Sequence, residues 1–270
     1  MKLLKQFFDF YLRSSIHVAL MILCIYEITV FEHKVDSTLY ERLFIFFSSL
    51  SAYNFVKYFS FLKNNPQKIT NNFKGILFVS IISLICSAGL FTFFSYAEQV
   101  IISIATLFLG LYTIPINSSL MNLRNIGGVK IHIVALCWTL MTLALPIINE
   151  VTFQDSSFCL SVIKRYLWII LAILPFEIAD FNSDSKTLGT LPQVLGIKKT
   201  KIIGYFIVTI ILILVYFGAV EVWLCYITMM IFYLYFLSTS SLVQSAFRNL
   251  FWVEAIPFIG WLLVYLQQQH

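Results

Sequence analysis

Residues 177–193 read EIADFNSDSKTLGTLPQ and open with three carboxylates, Glu177, Asp180 and Asp184. Just upstream, SVIKRYLWIILAILPF (161–176) is apolar enough to lie in a bilayer. Carboxylates at a membrane boundary are costly, so a compensating charge is expected beside them. Asp180 and Asp184 are spaced i, i+4, and Glu177 precedes Asp180 by three, which stacks all three on one side of a continuing helix. Like charges at that spacing repel by a few tenths of a kcal/mol on an exposed helix, and a divalent cation reverses the sign. Magnesium takes oxygen ligands and is commonly held by one or two carboxylates together with substrate phosphates. A magnesium–diphosphate site and a plain polar helix end with solvated acids both satisfy the spacing.

The surrounding chain decides the fold class. Of 270 residues 60% are hydrophobic and 11% charged, with 27 Phe, and the mean hydropathy is +0.88. Apolar runs recur along the whole length, so the chain reads as an all-α polytopic membrane protein. The runs are too long and too little alternating for a β-barrel. A net charge of +5 reads as topology-setting Lys and Arg rather than a nucleic-acid footprint. The start, MKLLKQFFDFYLRSS, is amphipathic and basic, without the small-residue cleavage site of a secretory signal. Cys24, Cys86, Cys137, Cys159 and Cys225 are scattered without metal or disulfide spacing.

Windows of about 20 residues give nine candidate spans, near 15–32, 39–60, 75–95, 99–116, 131–149, 161–180, 201–219, 221–238 and 250–267. A count of eight is open, because the seventh and eighth share only a turn at Gly218. The chain is expected to form one membrane domain, 1–270. With the N-terminus in the cytoplasm, 14 of the 18 basic residues fall on cytoplasmic segments; Lys34, Arg42, Lys164 and Arg165 are the exceptions. The positive-inside rule supports that orientation. The polar loops 63–74, 117–130 and 180–201 then share one face, which makes a single cytoplasmic site the economical reading.

On that face Gly189-Thr190-Leu191-Pro192 and Gly196 shape a turn followed by Lys198, Lys199 and Lys201. Arg124 and Lys130, with Asn122 and Asn125, mark the loop before the fifth span, where they serve equally as topology signals. Asn54 and Lys57 lie inside the second span; a lysine there faces a cavity or snorkels to the interface. Glu254, near the cytoplasmic end of the last span, is a further cavity candidate. His17, His33, His132 and His270 show no metal spacing. Carboxylates for a metal, cations for an anion and an apolar bundle suit an amphiphile with a phosphorylated head and a long apolar tail.

These residues resemble the UbiA superfamily of intramembrane prenyltransferases. The second Asp-rich motif of that family is similar to Asp180-xxx-Asp184 followed by a Thr-Leu-Pro-xxx-Gly run, and 111–142 is similar to its fourth-to-fifth-helix region, with Tyr112, Pro115, Arg124 and Lys130 in place. The resemblance implies about nine transmembrane helices bundled around a central cavity open to the cytoplasm. It also implies Mg2+ held by Asp180, Asp184 and Glu177. Asn54, Lys57, Arg124, Lys130 and Tyr112 would bind the diphosphate of a prenyl diphosphate. The first motif departs from the family: Asn54 matches, but its three Asp positions hold Phe55, Tyr58 and Leu62, and the turn after Asp184 is one residue short. That leaves ligands for one magnesium ion, with Lys57 as a substitute fixed charge.

The implied activity is transfer of an isoprenyl group from a prenyl diphosphate to an acceptor, with Asp180, Asp184 and Lys57 as the catalytic set and the lipid bilayer as surroundings. The resemblance and the plain N-terminus point to a bacterial inner membrane. The alternative is a catalytically inactive UbiA-like membrane protein that binds a lipid or a partner. A transporter fits less well, since its ionisable residues belong near midplane on broken helices.

Overall fold

The computed structural model describes residues 2–64, 67, 70–115, 122–150, 156–185, 188–218 and 221–269. Lys68 and Lys186, counted above among the basic loop residues, lie outside them. The described residues form helices and no strand. In order these are α1 (Lys2–Arg13), α2 (Ile16–His33), α3 (Leu39–Asn64), α4 (Asn71–Phe91) and α5 (Tyr96–Thr113). Next comes α6 (Val129–Thr139), which runs through a π-helical segment, Leu140–Ala144, into α7 (Leu145–Ile147). Then follow α8 (Ser156–Ala179), α9 (Leu191–Leu195), α10 (Ile197–Phe217) and α11 (Trp223–Ser238). A second π segment, Arg248–Val253, leads into α12 (Ile256–Gln267).

Seven stretches among the described residues are long and apolar enough to cross a membrane. Two further helices, α3 and α11, fall short of that on composition or length. α11 is apolar but only 16 residues long. α3 spans 26 residues, yet its serines, Asn54 and Lys57 make it less apolar than the rest. Length and composition therefore do not fix the count at nine.

Local chemistry sets several helix starts. Ser95 caps α5: its hydroxyl accepts from the Glu98 amide at 3.4 Å, and Glu98 Oε2 accepts from the Ser95 amide at 2.7 Å, the reciprocal pairing of a capping box. Thr70 accepts from the Phe73 amide at α4. α2 and α8 form the centre of the bundle. α2 packs on α3, α12 and the Leu140–Ala144 segment, while α8 packs on α6, α10 and α11. Gly260 lets α12 close on α11, since a Cβ there would meet Met229 Sδ at 2.5 Å; small residues admit such close approach between membrane helices.

The four basic residues that broke the charge asymmetry lie at the end opposite the polar loops, and each has a partner. Lys34 pairs with Glu221 at 2.6 Å and Arg42 with Glu27 at 2.6 Å, while Lys164 bonds Glu32. Arg165, 1% exposed, donates to Thr29 Oγ1 at 2.7 Å, to Thr142 Oγ1 at 3.1 Å and to the Ile25 carbonyl at 3.1 Å. The π segment contributes to this knot, because the Thr142 carbonyl also accepts from Thr29 Oγ1 at 2.6 Å.

Candidate functional site

The bundle encloses a cavity of about 1470 Å³. Along α3 its lining runs from Phe44 to Leu62, about 27 Å of helix at the α-helical rise of about 1.5 Å per residue. The walls are mainly aliphatic and aromatic, with Thr106 and six serines among them. Ionisable side chains enter the wall chiefly at the polar-loop end, as Lys130 from α6 with Glu177 and Asp180 from the end of α8. Tyr112 and Asn54 line the same space, and so does Glu254.

The carboxylate stretch keeps its helical stacking. A 3-10 turn, Asp180–Asn182, extends α8, and the Asp184 amide still bonds the Asp180 carbonyl at 2.8 Å. Asp184 is then held from behind, because Gln193 Nε2 donates to the Asp184 and Ser185 carbonyls at 3.2 and 3.3 Å. The opposite end of that amide accepts from the Thr190 N–H at 3.1 Å. Pro192 in the first turn of α9 costs no hydrogen bond there. The loop before α6 seats on this turn through the Gly128 amide and the Leu188 carbonyl, 3.0 Å apart. Gly189 has φ +50° and leaves only 3.3 Å between a would-be Cβ and Gly127 Cα, so a larger residue there would be both strained and crowded.

Lys130 is the centre of the charge arrangement. Its ammonium lies 3.0 Å from Glu177 Oε1 and 3.0 Å from Asp184 Oδ2. The Asp184 contact is a hydrogen bond; the Glu177 contact is an ion pair without hydrogen-bond geometry. Asp180 is exposed toward the cavity, and among the described residues its carboxylate has no hydrogen bond or ion pair. Arg124 lies on the 3-10 turn Leu123–Asn125, outside the cavity lining.

The structure brings Asn54, Tyr112, Lys130, Glu177 and Asp180 to one cavity and ties Asp184 to it through Lys130. It does not bring Lys57 there. The Lys57 ammonium donates to the Arg13 carbonyl at 3.2 Å, and Tyr58 donates to the same oxygen at 2.7 Å. The loose C-terminal carbonyl of α1 absorbs both donors. Asn54 donates to the Ser14 carbonyl at 2.9 Å and to Ser80 Oγ at 2.8 Å, while its buried Oδ1 has no partner. Glu254 follows the Arg248–Val253 π segment, which His17 holds through a 3.1 Å contact to the Phe251 carbonyl.

The donor set has the right chemistry for magnesium, namely carboxylate oxygens at a wall shared with cations. As placed, no three acidic, His or Cys side chains among the described residues converge on a common point. Glu177 and Asp184 converge on Lys130 instead, and Asp180 alone offers both oxygens.

No family model and no curated protein sequence matches the chain. Solved structures do. A UbiA homolog from Archaeoglobus fulgidus bound to GPP and Mg2+ superposes with a TM-score of 0.65 at 12% identity, over 95% of this chain and 98% of that one. The apo structure of a UbiA homolog from Aeropyrum pernix K1 gives 0.64 at 10% identity, over 93% and 98%. A digeranylgeranylglyceryl phosphate synthase gives 0.57 at 17% identity, over 98% of each chain. The backbone therefore follows these structures over nearly the whole length, and the fold is that of these UbiA homologs.

Proposed function

We propose that the protein is an integral membrane prenyltransferase, one domain over 1–270, which moves an isoprenyl group from a prenyl diphosphate to an acceptor. The observation that carries this reading is the cavity's polarity: apolar along the depth of the bundle, with cations and carboxylates gathered at one end. An isoprenoid tail fits the apolar length and a diphosphate fits the polar end. Solved relatives of the fold are bound to GPP or DMAPP with Mg2+, which supports the same assignment.

In the reaction the C1–O bond of the donor breaks and its electron pair leaves with the diphosphate. Lys130 and Arg124 stabilise that departing charge in a setting largely cleared of water, where fixed cations act most strongly. The acceptor then bonds C1 and gives up its proton. The apolar walls keep water from the allylic centre. Asp180, Asp184 and Glu177 are the residues that would hold Mg2+, which when bound supplies further neutralisation of the diphosphate. Asn54 and Tyr112 border the head-group region. The N-terminus and polar loops face the cytoplasm, and the membrane is a bacterial inner membrane.

Lys57, Phe55, Tyr58 and Leu62 favour a second reading, a UbiA-like protein that binds a lipid or partner without turnover, because the first motif offers the cavity no carboxylate. The test is magnesium-dependent diphosphate release from geranyl, farnesyl and geranylgeranyl diphosphate by the purified protein, alongside Asp180→Ala. Release that Asp180→Ala abolishes supports the transferase. Tight binding of these donors without release at any chain length supports the binding protein.

A further inference from the structure

The point between Glu177 and Asp184 is where a cation gains most from both carboxylates, and the Lys130 ammonium fills it at 3.0 Å from each. Glu177 is 3% exposed at its side chain, Asp184 15% and Lys130 19%, so water does little to screen the contact. A divalent ion cannot occupy the same point while the ammonium is there. Removing the ammonium without replacement would leave it unpaired beside an apolar cavity, which is costly. A diphosphate changes that balance, because it brings a new anion to the same wall. Lysine suits the exchange, since its ammonium sits on a flexible four-carbon stem. The backbone of Asp184 stays fixed by Gln193 meanwhile.

We propose that Lys130 is the resident cation of this carboxylate cluster, and that a divalent metal binds tightly only together with a diphosphate, as the ammonium moves from Glu177 and Asp184 to the phosphate oxygens. This rests on the prenyl-diphosphate reading above and adds an order to it. Metal and donor enter as a coupled pair, and each raises the affinity for the other by the same factor.

The experiment measures Mn2+ binding by electron paramagnetic resonance on protein in lipid nanodiscs, with and without geranyl S-thiolodiphosphate, a donor analogue with an inert C–S bond. Binding by the analogue alone in protein-free buffer is subtracted. The wild type is expected to bind Mn2+ alone at least tenfold more weakly than with the analogue. Lys130→Met is expected to bind Mn2+ alone about tenfold more tightly than wild type and to lose most of the coupling; Lys130→Arg keeps a cation and restores weak binding. Equal affinity of wild type and Lys130→Met for Mn2+ alone overturns the proposal. If Lys130→Met does not fold, the wild type decides: a Mn2+ affinity that the bound analogue leaves unchanged overturns it. An analogue that binds under no condition overturns the prenyl-diphosphate reading and the exchange with it.

Discussion

Lys164 is bonded to Glu32 inside the bundle, with 5% and 6% of their side chains exposed. Tyr226 donates to the second Glu32 oxygen at 2.6 Å, and the Lys164 ammonium lies 4.6 Å from the centre of the Tyr226 ring. α2, α8 and α11 are thereby joined through one carboxylate at the end away from the site. Breaking one half of a buried pair strands the other charge, at a cost of about 3–5 kcal/mol, whereas removing both is far milder. Lys164→Met is therefore expected to lower the thermal unfolding temperature in detergent sharply, and Lys164→Met/Glu32→Gln to recover most of the loss. Equal losses in the two variants would mean that the charge pairing contributes nothing.

Lys57 offers a sharper test of the site than its sequence position suggested. Its ammonium is engaged by the Arg13 carbonyl and is absent from the cavity wall. Lys57→Ala is expected to leave the affinity for magnesium and geranyl diphosphate within about twofold of wild type, since the lost contact is one exposed hydrogen bond worth about 1 kcal/mol to the seating of α1. Lys130→Ala, by contrast, removes a cation from the wall itself and should weaken the binding of geranyl diphosphate at least tenfold. Isothermal titration separates the two, and a large loss with Lys57→Ala would return that lysine to the site.

The turn after Asp184 makes a prediction about backbone. Gly189→Ala places a side chain at φ +50°, a conformation that costs an alanine about 1–2 kcal/mol, and 3.3 Å from Gly127 Cα. The 122–128 loop must give way, and with it the register between Lys130 and Asp184. About 1 kcal/mol corresponds to a roughly fivefold loss, so donor binding should weaken by about that factor. Gln193→Ala frees the Asp184 carbonyl from the opposite side and should act in the same direction. Donor affinity unchanged in both variants would show that the turn does not position the carboxylates.

The helical spans were legible because apolar runs of bilayer length have few other uses, and the Asp180–Asp184 stacking was legible because its spacing is helical on either reading. The partner of those acids was not. Glu177 and Lys130 are 47 positions apart in sequence, and only the packing of α6 on α8 brings them together. The direction of Lys57 was not legible for a related reason: it depends on the rotation of α3 and on where α1 ends, and neither leaves a periodic trace. Lys164 and Arg165 looked like charges on the wrong side of the membrane until Glu32, Thr29 and Thr142 supplied partners from two other helices. Sequence periodicity gives faces of single elements; pairings across the bundle follow from how those faces are rotated.

Glu254 depends on such a rotation. The π segment Arg248–Val253 inserts an extra residue per turn just before it, and the side chain comes to line the cavity. Among the described residues its carboxylate has no hydrogen bond or ion pair. The side chain is half-buried, and a polar group without a partner costs up to roughly 1–3 kcal/mol when burial is complete. Glu254→Leu is therefore expected to stabilise the ligand-free protein by about 1–2 kcal/mol in detergent unfolding, with Glu254→Gln in between. If Glu254→Leu unfolds at a lower temperature than wild type, the carboxylate has a stabilising partner, and the cavity wall is arranged differently at the start of α12.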